Sequence, residues 1–136
     1  MKNVYELSYK YVVPSIKRVL TLELLKKGFA EVEVAKLLGI SKSLATRYVK
    51  GERGSILALH EHQQVKDLIR RLADKIASGT MNKYEVEFEV MKISASLLSS
   101  RYLCKYHKQL EPELKSIKCN ICPTIFASKM VEHDYC

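Results

Sequence analysis

Residues 31–51 read EVEVAKLLGISKSLATRYVKG, and the two glycines in this stretch decide how the chain folds. Val34, Ala35 and Leu38 recur at helical spacing, and Gly39 ends that helix because glycine accepts the left-handed backbone a helix stop requires. Ile40 bridges to Ser41, whose hydroxyl can cap a second helix, SKSLATRYVK, closed by Gly51. Ala35 is small where two helices would cross closely, and Gly39 gives the tight turn between them. Ile40, Ala45 and Tyr48 then pin the second helix to the first, leaving Lys42, Ser43, Thr46, Arg47 and Lys50 on the opposite face. A helix with such a face fits the major groove of double-stranded DNA.

The individual roles stay open at this level. Arg47 can read a base edge, clamp a phosphate or stand as a surface charge. Lys50 and Arg53, at the helix end and in the following GERGS loop, suit phosphates, and Ser41 suits a cap better than a reader. The competing account is an ordinary helix pair in an all-helical core, against which the phased charge argues.

The run LGISKSLATRYVKGERG, residues 38–54, resembles the phage-repressor type of helix-turn-helix. More narrowly it resembles the small transcriptional regulators common in archaea, whose recognition helix similarly carries a Ser-x-x-x-(small or Val)-(Ser/Thr)-Arg-Tyr run ending in Gly-x-Arg-Gly. The likeness covers Pro14 to Ser55 and is looser through the helices that follow. It departs at Glu31 and Lys42, where such proteins often have a base-reading Gln, so the operator does not follow from it. The resemblance implies a sequence-specific regulator that dimerises across a two-fold axis, with half-sites about one helical turn, roughly 34 Å, apart.

A chain of 136 residues at 47% apolar composition allows one domain, or one with an appendage. The net charge of +8 favours an acidic partner, and residues 1–54 hold most of it, with eleven Lys and Arg against five Asp and Glu. Pro14 reads as the opening of a first helix that buries Ile16, Val19, Leu20 and Leu24 and stops at Gly28. A further helix is expected between Ile56 and Ala77, with Val65, Leu68, Ile69, Leu72 and Ile76 inward. The segment from Asn82 to Leu103 alternates briefly like a strand, but Tyr84, Phe88, Met91, Ala95 and Leu98 predict a longer helix with those residues on its face. The chain is thus expected to be all-α. It reads as a DNA-binding region (1–55), a helical core or dimerisation region (56–103) and a cysteine-rich segment (104–136). Either the two helices of the middle region supply a homodimer surface or they complete the core.

All four cysteines fall in that last segment, as Cys104, Cys119, Cys122 and Cys136, spaced Cys-x14-Cys-x2-Cys-x13-Cys. His107 and His133 stand three residues from Cys104 and Cys136 as alternates. A Cys-x-x-Cys turn aims two thiolates at one ion, and a second pair closes a tetrahedral site. Prolines break the segment, which is too short to bury a core of its own, so a metal staple suits it, with a short helix from Thr124 to Val131. Four thiolates suit zinc or an iron–sulfur cluster, whereas His107 in place of a cysteine would favour zinc. The archaeal regulators resembled here often carry a similar Leu-Cys-x-x-His followed by Cys-x-x-Cys, matching Leu103 to His107 and Cys119 to Cys122. The cluster is preferred slightly, because the chain has four cysteines and all lie here. Such a group could report redox state or iron. His60 and His62 are expected at the surface or in packing.

No apolar run is long enough for a membrane span and the first residues lack a signal-peptide core, so a cytoplasmic protein is expected. A glycine-rich phosphate loop is absent, as is a nucleophile and base with a third member, which points away from an enzyme. The alternative function is a zinc-stabilised helical adaptor that touches nucleic acid nonspecifically.

Overall fold

Every regular element that the computed structural model contains among residues 3–127, the residues the structure describes, is helical. The chain divides into two compact units, one ending at Ser94 and one beginning at Ala95, so the boundary falls inside a helix.

A long helical run organises the N-terminal unit. Its first piece, α1 (Val4–Leu7), is capped by Asn3, whose side chain accepts from the backbone N–H groups of Tyr5 and Glu6. A single π turn, Ser8–Val12, leads into α2 (Val13–Lys26). Pro14 sits in the first turn of α2, as the sequence predicts, but α2 continues an earlier helical run, so the proline lies buried within it. The π turn explains how. Pro14 has no N–H to give to the carbonyl one turn back, and its ring crowds that carbonyl. In the wider turn the N–H of Val13 reaches back five residues to the carbonyl of Ser8, which breaks the ordinary register. Ser15 then donates its hydroxyl to the Tyr11 carbonyl at 2.6 Å.

Ile16, Leu20 and Leu24 of α2 are fully buried, and the helix packs against α3 (Glu31–Leu38), α4 (Lys42–Val49) and α5 (Gln63–Ala77). In α3, Glu33 reaches back to the backbone N–H of Ala30 at 3.0 Å, and Val34, Ala35 and Leu38 face inward. A 3-10 turn at Leu59–Glu61 precedes α5. That helix starts later than the expected Ile56, because His62 caps it, its ring accepting from the backbone N–H of Val65 at 3.3 Å. Val65, Ile69, Leu72 and Ile76 are buried as their spacing predicts, while Leu68 lies at the edge of the solvent.

Asn82 caps α6 (Lys83–Ser99), accepting from the N–H groups of Tyr84 and Glu85, both at 2.9 Å. The helix is where the pattern puts it, but it is turned. Val86, Val90, Ile93 and Ser94 are buried, whereas Tyr84, Phe88 and Met91 stand 74%, 55% and 59% exposed. Both faces of α6 are apolar at helical spacing, so periodicity alone cannot choose between them.

The C-terminal unit holds α7 (Cys104–Leu110), a 3-10 turn at Pro112–Ser116 and α8 (Ile121–Phe126). The last helix begins at Ile121 rather than Thr124, and Val131 lies outside the described residues. Among the described residues no helix is long and apolar enough to cross a membrane.

Candidate nucleic-acid interface and cysteine segment

The two halves of residues 31–51 are joined by a turn of three residues. Gly39 adopts φ 67°, and the N–H of Ile40 closes on the Ala35 carbonyl at 2.9 Å. Ser41 caps α4, its hydroxyl oxygen accepting from the Leu44 N–H at 3.1 Å. One side of α4 is fixed: Ala45 and Tyr48 are buried. On the other side Lys42, Ser43 and Arg47 are exposed, with Lys50 at the helix end and Thr46 half-buried.

The end of α4 is held by a residue distant in sequence. Arg18 on α2 donates its Nε–H to the carbonyl of Tyr48 at 3.0 Å. Beyond it the Gly51 and Glu52 N–H groups return to the carbonyls of Tyr48 and Arg47, sealing the helix. The loop then lies directly on α2. A Cβ at Gly54, whose φ is 78°, would come within 2.4 Å of the Pro14 carbonyl oxygen. Arg53 is half-buried, close enough to Tyr48 to act on its hydroxyl. Lys10 borders the same open cleft as Arg53, beside Glu6 and Glu52, and so adds a cation near the end of α4.

Burial raises the pKa of the Tyr48 hydroxyl above its ordinary 10.0, with Arg53 and Arg47 opposing and Glu87 adding to the rise. The folded chain therefore keeps this proton to higher pH than the unfolded chain does. The stability this group contributes is intact below pH 10.0 and is lost as pH rises past that value toward the folded pKa. Urea unfolding of wild type and Tyr48→Phe, followed from neutral to strongly alkaline pH, should show the wild type losing stability faster. Parallel curves would mean that Tyr48 ionises as freely folded as unfolded.

In the C-terminal unit Cys104 begins α7, Cys119 lies in the loop before α8 and Cys122 sits buried in the first turn of α8. All three are free thiols. Burial pushes the Cys122 thiol upward, Cys104 and Cys119 push it further, and Arg101 opposes them, so the three sulfurs share one electrostatic neighbourhood. Arg101 ties the neighbourhood together. Its guanidinium donates to the Cys119 carbonyl at 2.8 Å and to Asn120 Oδ1 at 2.5 Å, while its own carbonyl accepts from the Cys104 N–H at 3.0 Å. Its backbone is left-handed, with φ 65°.

Among the described residues, no three Cys, His, Asp or Glu side chains converge closely enough to hold a metal ion. Cys136 and His133 lie outside the described residues. His107 Nε2 stands 2.8 Å from Glu111 Oε2, which leaves Nδ1 as its nitrogen for any other partner. His60 is exposed and His62 serves as the α5 cap.

No protein-family model, curated protein or solved structure matches this chain.

Arg18, Lys10 and Arg101 are the residues that sequence reading misses. Arg18 and Tyr48 are thirty residues apart, and no periodicity links a helix-surface arginine to a distant carbonyl. Arg101 is hidden for a second reason: nothing in a Ser-Ser-Arg-Tyr run announces a left-handed arginine, since glycine or asparagine is the usual signal.

Proposed function

We propose that the chain is a sequence-specific DNA-binding transcriptional regulator acting as a homodimer, with α3 and α4 as its helix-turn-helix. The observation that carries this reading is the division of α4. Ala45 and Tyr48 anchor one side, while the other offers Lys42, Ser43 and Arg47 to the solvent. In the complex Lys42, Ser43, Thr46 and Arg47 enter the major groove, and Lys50 and Arg53 meet phosphates. Ser41 keeps the helix capped at the end nearest the bases. The excess of positive charge in residues 1–54 gives the encounter its long-range attraction.

Cys104, Cys119, Cys122 and Cys136 would hold a metal centre, with His107 and His133 as alternates. An iron–sulfur cluster is favoured over zinc on the count of cysteines, and when bound it would supply a redox-sensitive charge to the segment. What supports this reading is donor chemistry alone: the described residues supply three free thiols, one of them buried, without drawing three donors together around one point.

Selection of the full chain on random duplex DNA, followed by footprinting, tests the DNA reading. A protected site with a steep salt dependence is expected, and Arg47→Ala should weaken that site by about 1–3 kcal/mol while sparing unrelated DNA. Equal affinity for every sequence would instead assign the chain to the zinc-stabilised adaptor class.

A further inference from the structure

Tyr84, Phe88 and Met91 form an exposed apolar stripe on α6, within the N-terminal unit. At 3.6 residues per turn the three side chains fall within roughly 60° of one another. They are not leftover core, because the same helix buries Val86, Val90 and Ile93 on another face. Glu87, on one flank, is already paired with Lys17 at 2.8 Å. The other flank carries Glu85 toward the start of the helix, its carboxylate accepting from the Asn82 backbone N–H at 3.3 Å and side-chain Nδ2 at 3.2 Å, and Lys92 toward the helix end.

We infer that this face is the homodimer interface, formed by two copies of α6 packed antiparallel about a two-fold axis near Phe88. The inference rests on the regulator reading for its need of two recognition helices, but the choice of face rests on the order of residues. In such a pair Phe88 meets the partner subunit's Phe88, and Tyr84 meets the partner subunit's Met91, a sulfur–aromatic contact. A two-fold axis perpendicular to both helices brings the same flank of each copy together. Glu85 then faces the partner subunit's Lys92, and Lys92 the partner subunit's Glu85, so opposite charges meet twice. In a parallel two-fold pair opposite flanks would meet instead, setting Glu85 and Lys92 against the flank that carries Glu87 and losing the matched pair of contacts. Lys92, now 3.3 Å from Glu89 on its own helix and over the Phe88 ring at 5.3 Å, already lies along the edge of the stripe.

Sedimentation of the full chain without DNA tests this independently of DNA recognition. The wild type is expected to be a dimer at micromolar concentration, and Phe88→Glu to raise the dissociation constant by about 100-fold or more. Because Phe88 is half out in solvent, the variant should keep its helical circular dichroism. Glu85→Lys and Lys92→Glu should each weaken the dimer by about tenfold, and the double variant should restore it. A monomeric wild type would overturn the inference, whether solvent or the chain's own C-terminal residues cover the stripe. So would a dimer indifferent to Phe88→Glu, or charge variants that fail to rescue each other. In each of those cases a sequence-specific footprint would still stand on its own.

Discussion

Gly54→Ala is expected to destabilise the N-terminal unit by about 3 kcal/mol, the sum of a left-handed backbone forced on alanine and a methyl group driven into packed backbone. The added Cβ would stand 2.4 Å from the Pro14 carbonyl oxygen and 2.9 Å from Arg18 Cβ, and neither is the free end of a flexible side chain. Gly28 and Gly79 provide the internal comparison. Both have positive φ, yet a Cβ on either meets nothing within 4 Å, so alanine there should cost only about 1 kcal/mol. Urea unfolding of the three variants separates backbone strain from collision. If all three lose the same amount, the loop after α4 can lift from α2 without penalty, and the seating of Arg53 would have to be explained otherwise. If Gly54→Ala stands apart, its surviving folded fraction should also bind DNA less well, because the same contact places Arg18 against the end of α4.

The second large effect is expected at Cys122. Replacing it by Val keeps an apolar side chain in a buried position but removes the sulfur, and the C-terminal unit should then lose both the proposed metal centre and its order. A structural site supplies about 10–16 kcal/mol in small zinc peptides, enough to decide whether α7 and α8 stay ordered. Leu110, Ile117, Ile121 and Ile125 are each more than two-fifths exposed, and of α7 and α8 only Cys122 is buried, while Leu97, Leu98 and Leu103 lie buried before α7 begins. After anaerobic purification, wild type should carry iron with comparable sulfide, or zinc, and Cys122→Val should carry neither. Hydrogen exchange should rise sharply in α7 and α8 while α2 and α5 keep their protection. Protection retained throughout in Cys122→Val would show that the cysteine serves only as a small apolar residue.

Much of this architecture can be read from residues alone, and the exceptions share a cause. The α3–α4 pair is legible because each of its demands is local: a small residue at the crossing, a glycine at the turn, a serine at the cap, buried positions three or four apart. The burial of Ile16, Leu20 and Leu24, and of Val65, Ile69, Leu72 and Ile76, follows from spacing in the same way. What spacing cannot supply is a choice between equivalent alternatives. On α6 two apolar stripes compete, and only the shape of the surrounding helices selects Val86, Val90 and Ile93 over the aromatics. Among the cysteines, spacing names the thiols but not how nearly they converge. That depends on a loop held by Arg101, whose partners lie eighteen and nineteen positions away.

The π turn at Ser8–Val12 does more than excuse a proline. Val4, Ser8, Val12, Ile16, Leu20 and Leu24 are all buried, and each is four positions from the next. In an unbroken α-helix a four-residue repeat slips by about 40° at every step, so over this length its ends would point nearly opposite ways. The wide turn spends one extra residue without advancing the rotation, and so resets the phase midway. It works as a vernier: a strict repeat of four stays aligned with one core along the whole run. Loss of a single residue from that turn would therefore act on the molecule as a twist, swinging Val4 and Leu7 into solvent while leaving the helix itself intact.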